Sequence, residues 1–168
     1  MPLSLHAAFV PSCRQVLAGC LGVLTKAQAA GFTDLEARLA PDMFPLAFQV
    51  QSVAGHSAGA IAAVRAGQFS PGGGFAMPEA SYAGFAAMLN EADAALASVT
   101  EAEMEAFIGG DTAFVFGERR MPFKSEDFLL SFAQPNFYFH ASILYGIFRS
   151  QGVALGKKDY LGRPRMAV

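Results

Sequence analysis

The chain has 168 residues, of which 53% are apolar and 15% are charged, and its formal net charge is −2. This length predicts one domain over residues 1–168 with a sizeable apolar core. A slightly acidic chain has no electrostatic footprint for nucleic acid.

No apolar run reaches the roughly 20 residues of a membrane span, and the N-terminus lacks the pattern of a signal peptide. We therefore expect a cytoplasmic protein without membrane contact. The charged fraction is also below the usual share of about 25%. So few charges predict that a second copy covers apolar surface in a homodimer.

Hydrophobic periodicity predicts a first helix over residues 3–29. Pro11 lies inside the pattern and should kink or restart the helix, because proline removes one amide. Gly31 is suited to the C-terminal cap. Cys13 and Cys20 are about two turns apart, too far to form a disulfide within one helix. We interpret them as core thiols.

A second helix is predicted over residues 42–66, with Asp42 as its N-cap, Pro45 in its first turn and Gly67 at its end. The loop that follows, residues 68–78, contains three consecutive glycines and should be mobile. It lacks the Gly-Lys-Ser/Thr ending of a phosphate-binding loop.

One face of this second helix carries small residues, so another helix can approach closely and enclose His56. Gln49 and Ser52 are within helical reach of His56. The spacing therefore predicts these two side chains as its local hydrogen-bond partners.

Three smaller elements follow. Residues 81–97 have the period of an amphipathic helix, and Thr100 with Glu103 forms the pattern of a capping box for a short helix ending at Phe107. Residues 112–123 alternate around a glycine-containing turn and predict a two-stranded hairpin just before the last helix.

The last long helix is predicted over residues 125–152, with Ser125 as its N-cap. Pro135 interrupts it and predicts a kink just before Asn136. Its buried stripe is apolar except at Asn136 and His140, one turn apart. A buried polar group without a partner costs about 1–3 kcal/mol, so these two must meet protein groups, water, a ligand or a metal.

Four long amphipathic helices joined by loops predict an all-α four-helix bundle. Three segments also resemble an uncharacterised bacterial family within the DinB/YfiT-like superfamily: RLAPDMFPL at 38–46, PNFYFH at 135–140 and LGKKDYLG at 155–162. The resemblance implies an up-down-down-up bundle that is often dimeric. Members of that superfamily bind a divalent metal through three histidines, and some are thiol transferases, hydrolases or isomerases.

Carried over to this chain, the resemblance places His56 at the second-helix ligand position and His140 at the second histidine of an HxxxH pair. Asn136 stands where the first histidine of that pair is expected. An amide oxygen is a weaker ligand than imidazole for zinc or nickel. A further ligand would then be needed, and Asp42, Gln49 and Tyr145 are the candidates.

Three hypotheses remain open at this stage. In the first, His56, His140 and Asn136 hold a metal that activates a water or a thiol. In the second, the chain is a non-catalytic dimeric bundle in which these residues form a core hydrogen-bond network, with Asn136 bonding a carbonyl freed by Pro135. In the third, they line a metal-free pocket for a small organic molecule.

Overall fold

The computed structural model describes residues 3–167, which are predominantly helical with one small sheet. The helices are α1 (Leu5–Ala29), α2 (Leu46–His56), α3 (Ala58–Ala66), α4 (Tyr82–Ala97), α5 (Glu101–Phe107), α6 (Ser125–Asp127), a π-helix (Phe128–Ala133), α7 (Gln134–Ser150) and α8 (Lys157–Leu161). The strands are β1 (Gln68–Phe69), β2 (Asp111–Phe116) and β3 (Arg119–Lys124).

Four helices form the centre of the fold. Helix α1 packs on α4 and α7, and α2 packs on the same two helices, so that each of the four has two neighbours. The core between them is apolar, and its largest enclosed side chains include Phe9, Leu17, Phe85, Leu89, Phe137 and Phe148. The sheet lies beside α3 and the π-helix.

The predicted first helix is confirmed, but it runs unbroken through Pro11. Gly31 has the left-handed conformation, with φ of +73°, that a helix C-terminus favours. Cys13 and Cys20 are buried, and burial raises the pKa of both thiols, that of Cys20 to about 12. Both side chains are therefore protonated core groups, as the sequence predicted.

By length and hydropathy α1 resembles a membrane span, contrary to the expectation from the sequence. Its packing explains this composition, because α1 contacts α4, α7 and α8 and its most apolar window is 50% buried within the domain. A core helix passes the same composition test as a membrane helix.

The predicted second helix is two helices, and both its start and its continuity differ from the prediction. It begins at Leu46 after Pro45, so Asp42 does not cap it. It breaks at Ser57, whose hydroxyl donates to the carbonyls of Val53 at 2.7 Å and Ala54 at 3.2 Å. This back-bonding competes with the helical ladder and explains the break between α2 and α3.

The glycine-rich loop after β1 packs against this broken helix. A Cβ on Gly55 would lie 2.7 Å from the carbonyl oxygen of Gly72, and Gly59 faces Gly73 as closely. Gly55 and Gly59 therefore receive a loop. The helix that the sequence predicted to approach α2 and enclose His56 is α7, which packs on α2 and places His140 beside His56.

The sheet contains the predicted hairpin of β2 and β3, which pair antiparallel from Asp111 opposite Lys124 to Phe116 opposite Arg119. Strand β1 adds to it in parallel, with Phe69 opposite Phe114. The sequence did not predict this third strand, because two residues carry no detectable period.

The last long helix consists of three segments. Ser125 does not act as its N-cap; its buried hydroxyl instead shares a 2.9 Å hydrogen bond with Thr112 on β2. Pro135 lies in the first turn of α7, directly after the π-helix, so the irregularity comes a turn earlier than predicted. The wider π turn accommodates the carbonyl that the proline leaves without an amide.

Candidate functional site

A cavity of about 290 Å³ brings together the three predicted site residues, His56 from α2 and Asn136 and His140 from α7. The rest of its lining is largely aromatic and comes from α2, β1, β2, the glycine-rich loop and the π-helix: Phe48, Gln51, Ser52, Phe69, Pro71, Gly72, Phe114 and Phe132. Apart from the two imidazoles, no titratable side chain of residues 3–167 lines it.

The two imidazoles are direct neighbours although 84 positions separate them in the sequence. Their ring centroids are 5.7 Å apart and their planes are 7° from parallel. His56 is also stacked with Phe69 at 5.1 Å and meets the edge of Phe132 at 5.9 Å. Phe48 contacts the His140 ring at 5.9 Å.

His140 is held in one tautomer by a short relay. Its Nδ1 lies 2.8 Å from Oε1 of Gln49, and Nε2 of Gln49 donates to the carbonyl of Phe44 at 3.0 Å. Because a carbonyl can only accept, the second bond fixes the orientation of the amide. Nδ1 of His140 must then carry the hydrogen, and Nε2 keeps its lone pair for a ligand.

This relay corrects one prediction. Gln49 was expected to bond His56, but it bonds His140. Ser52 lines the cavity without a hydrogen bond to His56. The Nδ1 atom of His56 is enclosed and has no hydrogen-bond partner among residues 3–167. An enclosed and unsatisfied ring nitrogen is costly, which makes His56 the least satisfied polar group of the site.

Both imidazoles are neutral near pH 7. Burial, and secondarily the neighbouring His140 ring, lowers the pKa of His56 to about 3. Burial lowers the pKa of His140 to about 4. A neutral imidazole is the form that binds metals and accepts hydrogen bonds, so neither ring needs to lose a proton before it can do so.

Asn136 bonds a backbone carbonyl without any metal, because its Nδ2 donates to the carbonyl of Phe132 at 2.8 Å. The second hypothesis expected a carbonyl freed by Pro135, which in an α-helix is that of Ser131. The bond to Phe132 stabilises the junction between the π-helix and α7. It also occupies the donor end of the amide and leaves Oδ1 as the free end. Asn136 therefore serves the helix junction and the cavity at once.

The other candidate ligands do not reach the cavity. Asp42 is exposed in the connector before α2, Gln49 supports His140 from behind, and Tyr145 packs against Tyr160 of α8 at 6.3 Å. Within residues 3–167 no cluster of three histidine, cysteine or acidic side chains is arranged to hold a metal. Any ion here would depend on two imidazoles, one amide oxygen and solvent or substrate.

These donors fit a weakly held divalent ion. A histidine ligand usually donates its second ring nitrogen to an oxygen that orients it, and Gln49 supplies that oxygen to His140. The unsatisfied nitrogen of His56 and the neutral state of both rings also suit coordination.

The sequence did not indicate the aromatic wall of the cavity. Phe69 comes from β1, Phe114 from β2 and Phe132 from the π-helix, and their rings pack on one another. Gln51 donates to the carbonyl of Phe75 at 2.7 Å and thereby fixes the loop beside the cavity. Only the pairing of β1 with β2 brings these segments together, and that pairing has no local signal.

Comparison with known proteins gives a family match and a structural match. Residues 5–161 match the family described as "Domain of unknown function (DUF1993)". A crystal structure of a DinB family member protein from Shewanella denitrificans is 25% identical and superimposes with a TM-score of 0.79. The match covers 98% of this chain and 95% of that one, so the fold is DinB-like. No curated protein matches the sequence.

Proposed function

The chain belongs to the DUF1993 family, and we propose that it binds a divalent metal ion, zinc or nickel, through His56, His140 and Asn136. The observation that carries this proposal is the relay from Phe44 through Gln49 to His140, which leaves the Nε2 lone pair of His140 free. His140 lines the cavity, so this lone pair is available to a ligand there.

The ion would polarise a bound water or thiol and lower its pKa, which is the chemistry of a metal-dependent hydrolase or thiol transferase. The protein would contribute the rest through its own residues. Gln49 holds the His140 ring, Asn136 presents an amide oxygen, and the aromatic wall excludes bulk water. The wall also favours substrates with an apolar body over strongly charged ones, because the side chains that line the cavity are uncharged near pH 7.

A second candidate function is a metal-free pocket for a small organic molecule. The specific observation in its favour is the bond from Asn136 to Phe132, which gives Asn136 a structural role without any metal. Four aromatic rings in the lining, Phe48, Phe69, Phe114 and Phe132, would then provide most of the binding surface. In this case His56 and His140 accept hydrogen bonds from the ligand.

Elemental analysis after zinc or nickel loading separates the two candidates. We expect the wild-type protein to retain metal and His56→Ala and His140→Ala to lose it. His6→Ala is the matched control, because His6 lies outside the cavity and its Nε2 bonds the carbonyl of Val99. Asn136→His should bind metal more tightly by supplying a third imidazole. Less than about a tenth of an equivalent in the loaded wild-type protein contradicts the metal proposal.

We also propose that the protein is a cytoplasmic homodimer. Phe44 and Phe139 are 59% and 55% exposed. Phe44 accepts the hydrogen bond from Gln49, and Phe139 directly precedes His140. Exposed apolar side chains of this size are typical of a surface that a second copy covers. Light scattering at micromolar concentration should give the mass of two chains, and a monomer there contradicts the dimer.

A further inference from the structure

A second and larger cavity, of about 630 Å³, lies between α1, α4 and residues 163–165 and shares no lining residue with the histidine cavity. We call it the arginine groove. Its accessible apolar surface comes from Pro11, Ala18, Leu21 and Ala97, and Val10, Leu96 and Val99 lie buried beneath them. Its volume is in the range of sites that hold a small organic molecule.

Three guanidinium groups line the arginine groove, and two of them have no acidic partner among residues 3–167. Arg14 pairs in bidentate fashion with Asp93, at 2.8 and 3.1 Å, so this pair is neutral overall. Arg165 donates only to the hydroxyl of Ser12, at 3.2 Å. Arg163 makes no salt bridge to any acidic group of residues 3–167. Within the described part of the chain, the groove thus has two positive charges without an acidic partner, although the net charge of the chain is −2.

The backbone holds these two arginines over the groove. Nε2 of Gln15 on α1 donates to the carbonyl of Leu161 at 2.9 Å. Gly162 then turns with φ of +64°, and a Cβ there would lie 2.8 Å from the carbonyl oxygen of Gln15. Only glycine fits this turn, which directs Arg163 and Arg165 back along α1.

This arrangement differs from the site that the fold family implies. The family match ends at residue 161, before both arginines. The side chains that would bind a ligand here come from the last segment of this chain and from the outer faces of α1 and α4.

We propose that the arginine groove binds a small amphiphilic carboxylate, with its carboxylate on Arg163 and Arg165 and its hydrocarbon body along the apolar floor. Guanidinium groups recognise carboxylates in a planar, often bidentate geometry. Burial of the hydrocarbon against Pro11, Leu21 and Ala97, which keep accessible surface, contributes a hydrophobic term proportional to its length. Charge and apolar surface together select this ligand over a neutral or cationic amphiphile.

Titration of the full chain with octanoate, octanol and octylammonium tests the charge selectivity by calorimetry. We expect octanoate to bind at least about tenfold more tightly than octanol, which corresponds to one charge-assisted hydrogen bond, and octylammonium to bind least. Equal affinities for octanoate and octylammonium would overturn the proposal.

Two double variants locate the site. Arg163→Gln with Arg165→Gln should weaken octanoate binding by about tenfold or more. Lys157→Gln with Lys158→Gln is the matched control, because it removes the same charge from the exposed α8 nearby and should leave octanoate binding unchanged. Equal losses of octanoate affinity in both double variants would mean that binding depends only on the net charge of the protein, and this would overturn the proposed site.

Two further measurements separate this site from its alternatives. His56→Ala should bind octanoate like the wild type, so that failure of the metal proposal and failure of this one are distinguishable; a loss in His56→Ala would place octanoate in the histidine cavity. Sedimentation with phosphatidylglycerol vesicles should leave the protein in the supernatant. Arginine-dependent pelleting without octanoate binding would assign the groove to a membrane surface and overturn the proposal.

Discussion

The two sides of the bundle differ in regularity. Helix α1 runs unbroken for 25 residues even through Pro11, and its buried side chains are all apolar apart from the thiols. On the other side, α2 breaks at Ser57 and α7 follows a π-helix. Buried Gln49 and Ser57 and the half-buried His56 and His140 lie on this irregular side.

This difference shows where the fold departs from simple packing. A regular helix needs only a continuous apolar stripe, whereas the irregular side combines free space with imidazoles that burial holds neutral. The π-helix brings Phe132 to the cavity and Asn136 ties it to α7. Irregular backbone and unusual side-chain environment therefore coincide, as is frequent at functional sites.

The largest expected effect on stability comes from a substitution that creates a cavity on the regular side. Leu17 is fully buried on α1, so Leu17→Ala should lower the free energy of unfolding by about 2–5 kcal/mol. Phe132→Leu, beside existing space on the irregular side, should cost less than Leu17→Ala. Urea denaturation at pH 7 measures both, and equal costs would mean that the two sides are packed alike.

The pH dependence of stability should come from the irregular side. Both histidines have a folded-state pKa below the unfolded value near 6.5, so below pH 6.5 the unfolded state binds more protons. Stability should therefore fall as pH drops from 6.5 towards about 4, by up to about 1.4 kcal/mol per pH unit for each ring. Urea denaturation across this range measures the slope, and His56→Phe should remove up to half of it.

Removing the hydrogen-bond relay from Phe44 through Gln49 to His140 should lower the free energy of unfolding by an intermediate amount. Gln49→Leu leaves Nδ1 of His140 and the carbonyl of Phe44 without partners, so it should cost about 1–3 kcal/mol. Exposed Gln28→Leu on α1 is the control and should stay within about 0.5 kcal/mol. If metal binds, Gln49→Leu should also weaken it by about 10–100-fold, because the orienting oxygen is lost.

The smallest expected effect is an increase in stability. His56→Phe replaces a ring whose Nδ1 is unsatisfied with one that suits the contacts to Phe69 and Phe132, and it should stabilise the metal-free protein by about 1 kcal/mol. Thermal unfolding in chelator measures this, with His140→Phe as the comparison that should destabilise. A loss of stability in His56→Phe would instead support a core hydrogen-bond network around His56.

Much of the fold was predictable because its signals are local. Ser81 and Thr100 accept hydrogen bonds from the first turns of α4 and α5 as helix caps do, and Gly31, Gly67 and Gly152 have the left-handed conformation of helix ends. Alternation around Gly117 predicted the hairpin. These features depend on a few neighbouring residues, which the sequence displays directly.

The site was predictable only in part. Resemblance to a known superfamily, more than periodicity, brought His56, Asn136 and His140 together as one site. The Gln49 bond to His140, the Ser57 break and the β1–β2 pairing depend on residues far apart in the chain or on a choice between competing hydrogen bonds. A single sequence does not display either kind of information.

The contact between α8 and α1 has a consequence for biosynthesis. Backbone atoms of Tyr160 lie so close to Gly19 that no Cβ fits there, so this part of α1 is shaped for a segment that the ribosome makes much later. Until residues 134–161 have emerged, the apolar face of α1 lacks α7 and α8. A nascent chain therefore exposes part of one of its most apolar helices while residues 30–133 are made, and such transiently exposed apolar surface is what chaperones bind.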